Sequence, residues 1–240
     1  MSGETGQDEH DSNETERFQV VPDPRPDDQV WPDMIWPVPA GTVLTGKVVE
    51  LTAVDPAADS GALFQALDQA RVWAHIPGRP EDARQFEDLL RQRNSQDSWH
   101  TWAVRTRAAI GGNPAGSIVG VTAYLDVRPY DAGLEIGFTV YTPSVWATAV
   151  NPEAKLLLLE YAFDTLRVGR VQLKTDVRNH RSQQAIARLG ARYEGTLRRQ
   201  FRRSDGTVRD SVLFSITAED WPEVRARLEH RLNPAEQPDG

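Results

Sequence analysis

"RVQLKTDVRNHRSQQAIARLGA", residues 170 to 191, joins two elements of different period. Val171, Leu173, Thr175 and Val177 alternate with Gln172, Lys174 and Asp176, the pattern of a strand with one buried face. From Asn179 the spacing changes. Ile186 and Leu189 recur at a helical offset, Asn179 suits the N-cap, and Gly190 suits the C′ position that ends a helix. A strand that runs into a helix at an Asn therefore anchors the placement of everything else.

Working upstream, "YTPSVWATAVNPEAKLLLLEYAF" (141 to 163) begins as the tail of a strand and then opens a second helix. Asn151 is its expected N-cap, Pro152 sits at N1 where a missing N–H costs nothing, and Glu153 suits the positive helix end. Leu156, Leu159, Phe163 and Leu166 give it one buried face. Such a helix is often core and nothing more, but free N–H groups at a helix start also cradle anions. Before it, "WHTWAVRTRA", "GSIVGVTAYLDV" and "GLEIGFTVYT" read as three strands separated by the turn signals "IGGNPA" and "RPYDA", which predicts an antiparallel meander. Strict alternation would put Leu134, Ile136, Phe138 and Val140 on one face of the last strand, and Glu135, Gly137, Thr139 and Tyr141 on the other.

Earlier still, one strand is expected at 43 to 52, followed by helices in "DPAADSGALFQALDQ" and "RPEDARQFEDLLRQRNS". Downstream come two strands around an Asp205-Gly206 turn and a terminal helix in "AEDWPEVRARLEHRL". This order gives an α+β fold with a mixed, mostly antiparallel central sheet and helices on both faces.

Composition narrows the function classes. The chain has 240 residues, of which 39% are hydrophobic, enough for a real core. Its net charge of −8 is carried entirely by residues 1 to 33, with ten Asp or Glu against two Arg. The remainder is neutral overall, so no global basic field recruits nucleic acid or an anionic membrane. Residues 1–28 are expected to be a disordered acidic segment, 29–41 a Pro-rich lead-in, 42–232 the folded domain and 233–240 a disordered tail. There is no Cys, which excludes disulfides and a thiolate nucleophile, and the five His show no metal-ligand spacing. With no apolar run long enough to span a bilayer and no signal-peptide order at the N-terminus, a cytoplasmic protein is expected.

Three segments, in this order and spacing, resemble the GCN5-related N-acetyltransferases (GNAT fold), and more narrowly the RimJ/RimL-like branch that acetylates protein N-termini. "LEIGFTV" is similar to the family's fourth strand, "VWATAVNPEAK" to its acyl-CoA pyrophosphate loop and helix, and "RVQLKTDVRNHRSQQAIARLGARYEGTLRR" to its fifth strand, the next helix and the sixth strand. The resemblance spans about residues 42 to 232. It implies acetyl-CoA as acetyl donor, no metal, and an amine acceptor such as a protein N-terminus, a polyamine, an aminosugar or an antibiotic. A homodimer is left open by it, and a membrane or nucleic-acid partner is not expected.

By the same resemblance, N–H groups of residues 147 to 151 and 153 face the pyrophosphate, so that Ala147, Thr148, Ala149, Val150 and Asn151 belong to the cofactor site. The main chain of Phe138, Thr139 and Val140 pairs with the pantetheine amides, and Trp146 and the Asn179 side chain touch the arm. Glu135 is the expected general base and Ser182 the expected proton donor to sulfur. Each has a duller reading, as a surface carboxylate and as a first-turn serine. The family's Gly-x-Gly phosphate loop has alanine at both glycine positions here, Ala147 and Ala149. If either adopts positive φ, its Cβ costs about 1–2 kcal/mol. That departure motivates a second hypothesis, a non-catalytic acyl-CoA-binding or interaction protein on the same scaffold. The arginines between Arg178 and Arg209 read mainly as exposed strand positions, with one or two available to the CoA 3′-phosphate.

Overall fold

The computed structural model describes residues 19–25 and 30–233. The chain divides into two units, Met1–Val30 and Trp31–Gly240. In the first, residues 19–25 are exposed and form neither helix nor strand. Most of residues 1–28, and the tail after Asn233, for which disorder is expected, lie outside the described residues.

The second unit is built on one eight-stranded sheet in the order β1-β2-β3-β4-β5-β6-β8-β7. Its strands are β1 (Val43–Thr45), β2 (Val49–Ala53), β3 (His100–Thr106), β4 (Ile118–Arg128), β5 (Gly133–Tyr141), β6 (Arg170–Asp176), β7 (Arg192–Arg202) and β8 (Val208–Thr217). Every neighbouring pair is antiparallel except β5 with β6. Two apolar clusters define the two faces. Helices α1 (Pro56–Leu67) and α2 (Ala83–Asn94) bury Leu63, Leu67, Phe86 and Leu90 with Ala103, Val121 and Val140 of the sheet. Helices α3 (Val150–Glu160), α4 (His180–Ala187) and α5 (Trp221–Leu232) cover the opposite face, where Leu158, Ile186 and Leu228 join Trp102, Tyr124, Leu134 and Ile136. Residues 31–41 lie on this second core: Val38 is buried, Met34 and Trp36 pack against the cluster, and the Ile35 N–H donates to Leu166 O at 2.8 Å.

The single strand expected at 43 to 52 is instead a hairpin, β1 with β2. Its turn is held by a side chain from a distant helix. The buried Glu153 carboxylate accepts from the N–H groups of Lys47 at 2.9 Å, Val48 at 2.7 Å and Val49 at 2.7 Å. Gly46 permits this approach, because a Cβ there would stand 2.5 Å from the Glu153 carboxyl carbon.

Strand β5 also departs from the alternation read in the sequence. Val121 pairs with Val140 and Ala123 with Gly137, so Thr122 of β4 faces both Phe138 and Thr139, a β-bulge. Phe138 adopts a φ of 46° at the bulge. The extra residue reverses the faces beyond it. Phe138 and Val140 join the α1–α2 core while Tyr141 joins the α3 core with Leu134 and Ile136. Glu135 therefore shares its side with Phe138 and Val140 rather than with Thr139 and Tyr141.

Candidate active site

The site begins where the parallel pairing of β5 with β6 stops. Strands β5 and β6 are matched through Gly133 with Arg170, Leu134 with Val171 and Glu135 with Gln172, and no further. From Ile136 on, the edge of β5 that faces β6 carries no strand partner, so the main chain of Phe138, Thr139 and Val140 borders an opening.

Glu135 closes the paired end of that opening. It is buried, accepts a hydrogen bond from Gln172 Nε2 at 3.0 Å and lies 2.8 Å from Lys174 Nζ. Burial raises its carboxyl above the ordinary value, while Lys174 and Gln172 hold it down and Asp126 pushes it up again. The bland alternative of an exposed surface carboxylate is thereby excluded. A Cβ on Gly137 would come within 3.0 Å of Glu135 Oε1, so the bare glycine keeps one side of the carboxylate clear. Beyond it, Phe138 meets Trp73 and Trp99 at ring-centroid distances of 6.4 and 5.9 Å. Lys174 also lies 5.8 Å from the Phe201 ring centroid.

On the far side, β6 delivers the start of α4. Asn179 is its N-cap, and its Oδ1 accepts from the Ser182 N–H at 3.1 Å. Asn179 Oδ1 is thus committed to the helix, which leaves the amide nitrogen for any contact with a bound arm. The Ser182 hydroxyl, at N3, forms no hydrogen bond among the described residues. Glu135 is level with Gln172, and β6 runs four residues further, to Asp176, before the chain turns into α4 with Asn179 and Ser182 at its start.

The loop into α3 forms the third side. The helix starts two residues earlier than expected, with Ala149 as N-cap and Val150 at N1. Asn151 is therefore not the cap, and Ala149 has no side chain to serve as one. Thr148 substitutes in part, its hydroxyl accepting from the Val150 N–H at 3.3 Å. The Glu153 N–H is bonded to Ala149 O, so neither Val150 nor Glu153 offers a free donor. The N–H groups of Ala147, Thr148, Ala149 and Asn151 meet no acceptor among the described residues, and these are the donors left for an anion. Ala147 has a φ of 60° and Ala149 a φ of −69°, so only the first alanine occupies the left-handed region.

Trp146 precedes these residues, its Nε1 donating to Tyr141 O at 3.0 Å. Its ring is approached by two guanidinium groups, Arg181 of α4 at 3.6 Å and Arg71 at 5.5 Å from the centroid. Arg71, Lys174, Gln172 and Lys155 all touch the site elements, and sequence reading singled out none of them for this role. Only Lys155 carried a local signal, as a cation among the leucines of α3.

Among the described residues no group of three or more His, Cys, Asp or Glu side chains is arranged to hold a metal ion. No helix is long and apolar enough to cross a membrane. Two surface clefts lie elsewhere: one of about 560 Å³ borders Trp31 and Tyr130, and one of about 310 Å³ borders Trp36 and His100.

The comparisons agree with this geometry. Residues 49–192 match the family model described as "Acetyltransferase (GNAT) domain". A solved structure described as an acetyltransferase from T. thermophilus is 33% identical, with a TM-score of 0.72, covering 82% of this chain and 100% of that one. A GCN5-related N-acetyltransferase from Brucella melitensis is 25% identical, with a TM-score of 0.75, covering 85% of this chain and 90% of that one. RimJ of Mycobacterium smegmatis, solved in complex with CoA-disulfide, shares the fold at 21% identity and a TM-score of 0.66, covering 79% of this chain and 91% of that one. No curated protein matches the sequence. The chain belongs to the GNAT acetyltransferase family and is an N-acetyltransferase.

Proposed function

We propose that this enzyme transfers an acetyl group from acetyl-CoA directly to a primary amine, with the α-amine of a polypeptide N-terminus as the preferred class. The observation that carries the reading is the opening between β5 and β6 at the Phe138 bulge, bordered by the buried Glu135 carboxylate where the pairing stops and by the start of α4, whose Ser182 hydroxyl has no hydrogen-bond partner among the described residues. Acetyl-CoA supplies the acyl group as a thioester that an amine can attack. The chain's own parts fit such a donor. Free N–H groups at Ala147, Thr148, Ala149 and Asn151 suit its phosphates, and the unpaired edge of Phe138–Val140 suits the amides of its arm. Trp146 and the Asn179 amide nitrogen flank the same path.

Glu135 removes the proton from the acceptor ammonium, directly or through a water, and Ser182 donates a proton to the departing sulfur. The new C–N bond forms as the C–S bond breaks, so no acyl-enzyme is needed. Burial makes Glu135 a stronger base than an exposed carboxylate. An α-amine, with a pKa near 7.7–8, then demands less of it than a lysine near 10.4. Likeness to RimJ and to a ribosomal-protein-serine acetyltransferase of Vibrio cholerae supports the RimJ/RimL-like branch and a polypeptide acceptor.

The test is a screen of peptide and small-amine acceptors followed by release of free CoA, run on the parent, Glu135→Gln and Ser182→Ala. Both variants should bind CoA nearly as the parent does and lose about 10²- to 10⁴-fold in turnover. Turnover on aminosugars or polyamines but on no peptide would overturn the acceptor class. Unchanged rates in both variants would overturn the assigned roles.

A further inference from the structure

Lys155 is the one lysine of α3, and its amine is buried against the sheet with no carboxylate within ion-pairing distance among the described residues. Its Nζ donates to Thr139 Oγ1 at 2.8 Å and to Thr122 Oγ1 at 3.3 Å. The two hydroxyls are 2.8 Å apart, and each lies 3.4 Å from Gly137 O. The nearest acid along the helix, Glu153, is fully engaged by the β1–β2 hairpin. These contacts surround the bulge, where one residue of β4 faces two of β5.

A buried amine without a counter-charge is an expensive way to fill space, since an unpaired charge must be desolvated or discharged. A methionine of similar length would pack there without that cost. What the amine alone provides is a hydrogen-bonded tie on the helix side of the bulge. The opposite consequence of that bulge is the turn of the Phe138–Val140 main chain toward the β5–β6 opening.

We propose that Lys155 is a positioning residue for the cofactor strand: by tying Thr139 and Thr122 together, it fixes the main chain of Phe138–Val140 where the pantetheine arm must pair. The proposal rests on the reading of that edge as the acetyl-CoA site. It also links the two ends of the site, because the helix whose start faces the phosphates carries the residue that sets the strand beside the arm.

The experiment compares the parent, Lys155→Met, Thr139→Val and the double variant by calorimetry and thermal melting. Two ligands serve as probes, acetyl-CoA and adenosine 3′,5′-bisphosphate, which lacks the arm. Each single variant should lose about tenfold in affinity for acetyl-CoA, as for two lost hydrogen bonds, with unchanged affinity for the bisphosphate. The double variant should lose no more than the singles, since all break one tie. Lys155→Met should melt no lower than the parent. Equal weakening of both ligands, or losses that only follow a drop in melting temperature, would reduce Lys155 to a structural role and overturn the proposal. So would unchanged affinity for acetyl-CoA in Lys155→Met. If Lys155→Met does not fold, Thr139→Val decides by the same criteria. A parent that fails to bind acetyl-CoA removes the cofactor reading itself and this proposal with it, an outcome distinct from a parent that binds and a variant that binds equally.

Discussion

Glu135 and Lys174 form an ion pair of 2.8 Å between adjacent parallel strands, with both side chains almost closed to solvent. Lys174 opposes the effect of burial on the Glu135 carboxyl. Removing the ammonium must therefore raise that pKa further. If Glu135 is the base, Lys174→Met should move the acidic limb of the pH–rate profile to higher pH, because the carboxylate then appears later as pH rises. A limb that stays in place would show that another group titrates there.

Ala147 is the alanine under strain. Ala147→Gly should stabilise the protein, or tighten CoA binding, by up to about 1–2 kcal/mol as the left-handed backbone loses its Cβ penalty. Ala149→Gly should do neither, because its φ is already ordinary and glycine only adds freedom to the free loop. Melting curves and CoA titrations of the two single variants separate these cases. The reverse ranking would contradict the assigned backbone.

Removing the Glu153 carboxylate orphans three main-chain donors at once. Glu153→Ala should cost about 3 kcal/mol or more, a fall of about 6–12 °C in melting temperature for a domain of this size. Glu153→Gln keeps one acceptor oxygen and should cost less. A melting temperature unchanged in Glu153→Ala would mean that the hairpin turn is held by something else.

Burial lowers the Lys155 amine from its ordinary value near 10.5 to about 7. The unfolded chain then binds more protons than the folded one between those limits, so this lysine makes folding stability rise with pH across that window and contributes its full penalty below it. Relative to Lys155→Met, the parent should gain about 1.4 kcal/mol of stability per pH unit between about pH 7 and 9, read from urea midpoints. Parallel pH dependence in the two proteins would place the charge elsewhere.

The parts of this architecture that depend on neighbours in sequence were legible there. Asn179 and Gly190 bracket α4 through local chemistry, and the meander followed from period and turn residues. What escaped the reading depends on distant partners. The bulge at Phe138 exists because of pairing with Thr122, and the alternation of "GLEIGFTVYT" carries no mark of it. The hairpin at Gly46 to Val49 is fixed by Glu153, more than a hundred residues away. Asn151 looked like a cap because its chemistry suits one, but the backbone turns helical before it, from Val150 on. At the candidate site, Glu135, Ser182 and the two loop alanines stand out in the sequence by type and order, whereas Lys174, Gln172 and Arg71 become visible only when strands and loops are set side by side.

The short parallel junction gives the sheet a mechanical character. Strands β1 to β5 form one leaf and β6, β8 and β7 another, joined edge to edge by three residue pairs at Gly133 to Glu135. Any rocking of the leaves pivots there. In such a motion the gap would change least beside Glu135, because displacement grows with distance from a hinge. The ion pair of Glu135 with Lys174 lies close to that pivot, so such a motion would leave it nearly in place while the two edges separate farther along.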